Sequence, residues 1–166
     1  MRLFVLSVEL QAELSWGIDR DGNAIGSCSF KSEVGDLARF GVLVLNKGRV
    51  GRRQIIPEAW FDVATRRSTG DVIDANNRYQ NAGCPLAYRY FWWFRRGVSD
   101  FTAIGRDGQF VHIYPDSGIV IVQISDWRAW RNGPARQCLT FQAHDALVRA
   151  AVKAQEGAHT VSFAPK

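Results

Sequence analysis

One stretch, Phe101–Asp126, limits the possible folds more than any other part of the chain. It reads FTAIGRDGQFVHIYPDSGIVIVQISD. Phe101–Ile104 is a short apolar run, Gln109–Tyr114 alternates, and Gly118–Ile124 is apolar and β-branched, which predicts two or three antiparallel strands. Pro115-Asp116-Ser117-Gly118 supplies the turn, with proline fixing φ and glycine accepting φ > 0. Gly105 and Gly108 bracket Arg106-Asp107 at a strand entry, where glycine marks either a bulge that bends the strand or a close backbone approach. The first reading is purely structural. The second makes this hairpin end the edge of a site, with bare backbone N–H groups facing a ligand.

The segment AIGRDGQF…YPDSGIVIVQISD resembles the last catalytic-motif strand of the serine β-lactamase and penicillin-binding-protein superfamily. It is most similar to the branch of esterases and 6-aminohexanoate-dimer hydrolases. A second block, DLARFGVLVLNKGR followed by IIPEAWFDVAT, resembles another typical segment of that branch, in the family's order. The resemblance runs from Gly26 to about Asp126 and continues weakly through the last helix. It implies an α+β, β-lactamase/transpeptidase-like fold, an antiparallel sheet flanked by helices, present here as a C-terminal partial version.

The rest of the chain fits a single domain over residues 1–166, long enough to bury most of a core. The net charge of +5 is spread over dispersed arginines, with no block of like charge. That disfavours a nucleic-acid partner. Three cysteines, Cys28, Cys84 and Cys138, are odd in number and lack C-x-x-C spacing, so a disulfide framework is not expected and reduced thiols fit better. MRLFVLSVEL is too short and too weakly charged for a signal peptide or a membrane span. These features predict a soluble cytoplasmic chain, a periplasmic parent remaining open, with no membrane partner.

Taken in order, Met1–Gln11 is apolar without a clear cap, and Gly17–Gly26 carries turn chemistry. A helix is predicted from near Ser32, with Leu37, Phe40, Val44 and Leu45 on one face and Gly48 as its stop. Pro57-Glu58 opens a second helix to about Arg66. Ser68–Cys84 reads as a surface loop. Tyr88–Arg96, YRYFWWFRR, reads as one aromatic strand, either covered on both faces or lining a substrate cleft through residues such as Trp92 and Trp93. Trp127–Arg136 is a loop, Phe141–Gln155 a closing helix, and the tail from Glu156 is expected to fray.

The chemistry that the resemblance implies is acyl transfer. A Ser-x-x-Lys pair supplies nucleophile and base, and backbone N–H groups hold the tetrahedral intermediate. No serine in this sequence has lysine three residues on. Cys28-Ser29-Phe30-Lys31 and Tyr79-Gln80-Asn81 match family motifs formally but lie at the wrong places in the family's order. What remains is the third motif. Arg106-Asp107-Gly108 occupies the Lys-Thr-Gly position, departing from it in two residues. By resemblance, the Gln109 N–H is the strand's oxyanion donor, and Gly108 lets substrate lie along the strand. Arg106 is placed to orient a substrate carboxylate with its fork of donors, and Asp107 is tolerable there only if paired with Arg106.

His112, His144 and His159 show no catalytic or metal spacing, and His112 reads as a structural strand residue. Neither metal nor cofactor is expected. The leading expectation is a β-lactamase-related serine hydrolase acting on a small-molecule amide or ester, with this chain inactive alone for want of a nucleophile. It would then expose a sheet edge and a partly uncovered apolar face to a complementing N-terminal segment or a second copy. The alternative is a non-catalytic interaction module presenting the aromatic strand 88–94 and the Trp127/Trp130 loop.

Overall fold

The computed structural model describes residues 15–26, 28–66, 72–73, 82–129 and 133–160, with 72–73 and 158–160 as backbone only. The readings placed on Met1–Gln11, Tyr79-Gln80-Asn81, Trp130 and His159 concern, wholly or in part, residues outside this set. In chain order the elements are β1 (Ser15–Trp16), β2 (Phe30–Lys31), α1 (Val34–Leu45), β3 (Arg49–Val50), β4 (Arg53–Gln54), α2 (Glu58–Thr65) and β5 (Val72–Ile73). They continue with β6 (Leu86–Arg89), β7 (Trp92–Arg95), β8 (Phe101–Gly105), β9 (Gln109–Tyr114), β10 (Ile119–Gln123) and α3 (Gly133–Thr160). Six strands form one antiparallel sheet in the order β10-β9-β8-β7-β6-β5, an α+β arrangement.

The segment Phe101–Asp126 forms the three strands expected of it. Gly105 pairs with Gln109 and Phe101 with Ile113, and Ile119 returns to pair with Tyr114. Pro115–Ser117 makes a single 3₁₀ turn, and Gly118 closes it at φ +67. Helix α1 ends as the Gly48 signal implied. The N–H of Lys47 bonds to the carbonyl of Val44 and that of Gly48 to Leu43, the two bonds of a Schellman ending. A side chain on Gly48 would meet the Ile56 carbonyl at 2.5 Å and the Phe61 ring at 2.6 Å. The stop is therefore also where α1 and α2 close together.

The pleat sends alternate residues to two separate cores. Phe94, Phe101, Val111 and Ile113 face α1 and α2, where Val44, Phe61 and Ala64 meet them and Trp92 stacks on Phe40 at 6.4 Å. Gly41 brings α1 down onto the sheet, because a Cβ there would strike Val120. On the other face Leu86 and Phe110 pack on Phe141 of α3, flanked by Trp93, Ile104 and Trp127. Each fully buried phenylalanine contributes roughly 1.5–3 kcal/mol.

Three expectations are corrected. The aromatic run is two strands rather than one. Tyr90-Phe91 is a two-residue loop with φ +45 and +69, and the chain doubles back so that Arg89 pairs with Trp92. Both central residues of such a turn need positive φ, which is why Asn-Gly usually fills it and why two aromatic residues gave no turn signal. The cysteines are not all reduced, since Cys84 and Cys138 are joined with Cα atoms 5.6 Å apart, leaving exposed Cys28 as the free thiol. Helix α3 packs on the side opposite α1, and β10 stays half-exposed along its length. Finally, α3 starts at Gly133 rather than Phe141, because Pro134 sits in its first turn, where a missing N–H costs nothing. It continues past Glu156 to Thr160. Within the Ser68–Cys84 stretch, Val72–Ile73 pairs with β6 as a short edge strand. The expected open sheet edge is β10, which has β9 as its one strand partner among the described residues.

Candidate functional site

The tip of the β8–β9 hairpin carries four of the residues that the sequence singled out. Arg106, Asp107 and Gly108 form its loop, with φ +61 at Asp107 and +95 at Gly108. The Arg106 side chain is 95% exposed, and its Nε lies 3.7 Å from Asp107 Oδ2. This is a loose surface pair that leaves the guanidinium open to a ligand. The Asp107 carbonyl accepts a hydrogen bond from the Trp127 N–H at 3.1 Å, tying the tip to the segment after β10. Gln109 is exposed, and its side chain lies over Gly105, where a Cβ would collide with it. The bare backbone at Gly108 is filled from within the protein, since a Cβ there would lie 2.5 Å from the Trp127 indole. Beside it, Arg128 is held by Asp126. Hydrogen bonds from the Arg128 side chain and backbone N–H draw the Asp126 carboxyl down to about 2.

Trp92 and Trp93 lie on opposite faces of β7, so they do not line one cleft together. Trp92 is 8% exposed and meets the Phe101 ring edge-on at 5.0 Å, deep in the first core. Trp93 is half-buried on the α3 face and packs on Tyr88 at 4.6 Å. Exposed aromatics gather at the β6–β7 turn. Phe91 is 73% exposed and Tyr90 45%, with Trp60 of α2 edge-on to Tyr90 at 5.3 Å.

A second constellation had no counterpart in the sequence reading. Under α3 lies a buried polar chain. Arg95 Nε and Nη2 donate to Asp100 at 2.9 and 2.8 Å, and Nη1 and Nη2 donate to Asp145 at 2.8 and 2.7 Å. Tyr114 Oη donates to Asp145 at 2.8 Å. His112, wholly buried, places Nε2 2.7 Å from Asp100 Oδ2 and Nδ1 3.1 Å from His144 Nδ1. His144 Nε2 is 3.0 Å from Gln123 Oε1.

Burial alone would raise the Asp100 carboxyl, but the hydrogen bonds from His112 and Arg95 outweigh it and hold it at about 2. Burial pushes both histidines down, His112 against the pull of Asp100 and His144, with His112 beside it, to about 4. Burial and the bond to Asp145 push the Tyr114 phenol up. The set fastens three strands to α3 from within.

No family model matches this chain, and neither does any curated relative. Among solved structures, the chain superposes with a TM-score of 0.67 on a Bacillus anthracis protein assigned provisionally as a 6-aminohexanoate-dimer hydrolase. Identity is 23%, and the match covers 83% of this chain and 34% of the other, so the chain spans about a third of that protein's length. Among the described residues, no helix is long and apolar enough to cross a membrane. The likeness is therefore one of fold: an antiparallel sheet with helices on both faces, shared with part of a larger hydrolase-like structure.

Proposed function

We propose that this chain forms one wall of the cleft of a β-lactamase-related serine hydrolase that cleaves amide or ester bonds through an acyl-enzyme. The observation that carries this reading is the β8–β9 hairpin, with the motif-like Gly105–Gln109 stretch at its tip, where Arg106 and Gln109 are exposed and Gly108 is buried, within a fold like that of the 6-aminohexanoate-dimer hydrolase. In this reading the Gln109 N–H helps to hold the oxyanion, where a backbone donor is worth on the order of 3 kcal/mol of barrier. Gly108 is buried beneath Trp127, so substrate lying along the strand there requires that indole to move aside. Arg106, exposed and only loosely paired with Asp107, receives an anionic group on the substrate. The attacking serine and its lysine are absent from this sequence, so catalysis requires a further segment carrying them.

The test is hydrolysis of p-nitrophenyl butyrate and nitrocefin by the purified chain, with a fluorophosphonate label for reactive serine in parallel. Neither turnover nor labelling is expected. Turnover with a labelled serine would overturn the assignment of the nucleophile to another segment.

A second reading has its own observation. Trp60, Tyr90 and Phe91 present contiguous exposed rings at one end of the sheet, with the Arg89 guanidinium 5.1 Å above the Tyr90 ring. A non-catalytic interaction module would bind through these side chains. Loss of a captured ligand on Phe91→Ser, with the fold intact, would favour it.

A further inference from the structure

Helix α3 is held to the sheet by Phe141, by the bonds of Asp145 to Arg95 and Tyr114, and by a histidine pair. Its buried residues are Cys138, Thr140, Phe141 and His144, close together in its N-terminal half, while Leu147 is already 59% exposed. Of these four, His144 is the one that reaches both β9, through His112, and β10, through Gln123.

The Nδ1-to-Nδ1 contact, 3.1 Å long, needs one nitrogen with a hydrogen and one without. An ionised Asp100 can only accept, so His112 Nε2 carries a hydrogen. Two proton counts then satisfy the chain. With both imidazoles neutral, His144 Nδ1 donates to His112, and the Gln123 amide turns its N–H₂ toward His144 Nε2. With one added proton, His112 donates from both nitrogens. His144 then accepts at Nδ1 and donates from Nε2 to Gln123 Oε1, which is the amide orientation observed. The charged groups facing the pair are Asp100 from the loop before β8, Arg95 from β7 and Asp145 from α3 itself, with Tyr114 of β9 beside them. Together Arg95, Asp100 and Asp145 carry one negative charge, which an imidazolium at His112 cancels. A second proton has no place, because two N–H groups would then point at each other.

We propose that the His112–His144 pair is an acid-operated latch: it holds α3 on the sheet while the pair carries at most one added proton, and releases the helix when the second arrives. Cys84–Cys138 keeps the released helix tethered, so the opening is reversible. The carboxylates do not trigger it. Asp100 stays ionised to about 2, whereas His144 titrates near 4. This inference is independent of the catalytic reading above.

The experiment follows the imidazole nitrogens of His112 and His144 by long-range ¹H–¹⁵N NMR from pH 8 to 3.5. Amide exchange is read in α3 and in β8–β9, each corrected for its intrinsic pH dependence. Protection over residues 141–152 should fall at least tenfold more than in β8–β9, with the midpoint of the His144 titration, after His112 has charged. In His144→Asn, whose Oδ1 accepts from a charged His112 and takes no proton, α3 should stay protected across the same range. The latch is excluded if α3 and the sheet lose protection in parallel, if the α3 midpoint departs from that of His144, or if the folded asparagine variant opens at the wild-type pH. Should that variant fail to fold, the coincidence of the two wild-type midpoints decides.

Discussion

Gly108 and Trp127 are fitted to each other: an ideal Cβ on the glycine would sit 2.5 Å from indole Cε2. The same glycine has φ +95, a conformation that side chains rarely adopt. Gly108→Ala is therefore strained twice, in backbone and in packing. A loss of about 1–3 kcal/mol in urea unfolding is expected, with a shift in Trp127 emission. An unchanged midpoint would mean that the indole moves aside freely and does not define the hairpin tip.

The buried ion network should be worth far more than the surface pair Asp126–Arg128. Arg95→Ala strands Asp100 and Asp145 under α3 without their shared cation, a change expected to cost about 3–5 kcal/mol. Arg128→Ala, which removes an exposed partner of Asp126, should leave the denaturation midpoint where it was. Equal effects from the two variants would contradict the burial of the network.

The β6–β7 turn is expected to improve on substitution. Tyr90 and Phe91 hold φ +45 and +69, and such a conformation costs a residue with a side chain roughly 1–2 kcal/mol. Tyr90→Asn with Phe91→Gly supplies the residues this turn favours and should raise the unfolding free energy measured in urea by about 1–2 kcal/mol, less whatever the ring contacts with Trp60 and Tyr88 contributed. Stabilisation together with lost ligand binding would mark the aromatic tip as functional.

Reducing Cys84–Cys138 reopens a loop closed over 54 residues, which chain entropy values at about 4 kcal/mol. A reductant should lower the melting temperature of the wild type and leave that of Cys84→Ser unaffected. Identical melting with and without reductant would mean that the thiols are not joined in solution.

Acid should weaken the fold before it reaches the carboxylates. His144 titrates near 6.5 when unfolded and near 4 when folded, so the unfolded chain binds the proton first. Its stabilising contribution is complete above about pH 6.5 and fades as pH falls toward 4. Asp100, lowered to about 2, loses its contribution only below the ordinary carboxylate range. Urea midpoints at pH 7.5, 5.5 and 4.5 should fall in that order, and a flat profile would place His144 in water.

The sequence made β8, β9 and β10 legible because alternation, β-branching and Pro115–Gly118 all point to the same hairpins. It also located Gly48 as a helix stop and Pro57 as a helix start. The turn at Tyr90-Phe91 was hidden because neither residue has turn chemistry. The buried network was hidden by separation, with His112 and His144 32 residues apart and Arg95 and Asp145 50 apart. Each reads singly as an ordinary surface or strand residue. An odd cysteine count masked a bonded pair and a spare. At the candidate site the motif residues were readable, but their surroundings were not: nothing in the spacing says that Trp127 fills the space beside Gly108, or that Trp92 and Trp93 face opposite ways.

The proposed cleft wall can be tested in a chimera. Residues 101–126 would replace the equivalent hairpin of an active hydrolase of this fold that keeps its own Ser-x-x-Lys. A folded chimera is expected, its serine acylated by fluorophosphonate and by ester substrate, with acylation falling tenfold or more on Gly108→Val. A chimera with native circular dichroism and an unreactive serine would contradict it.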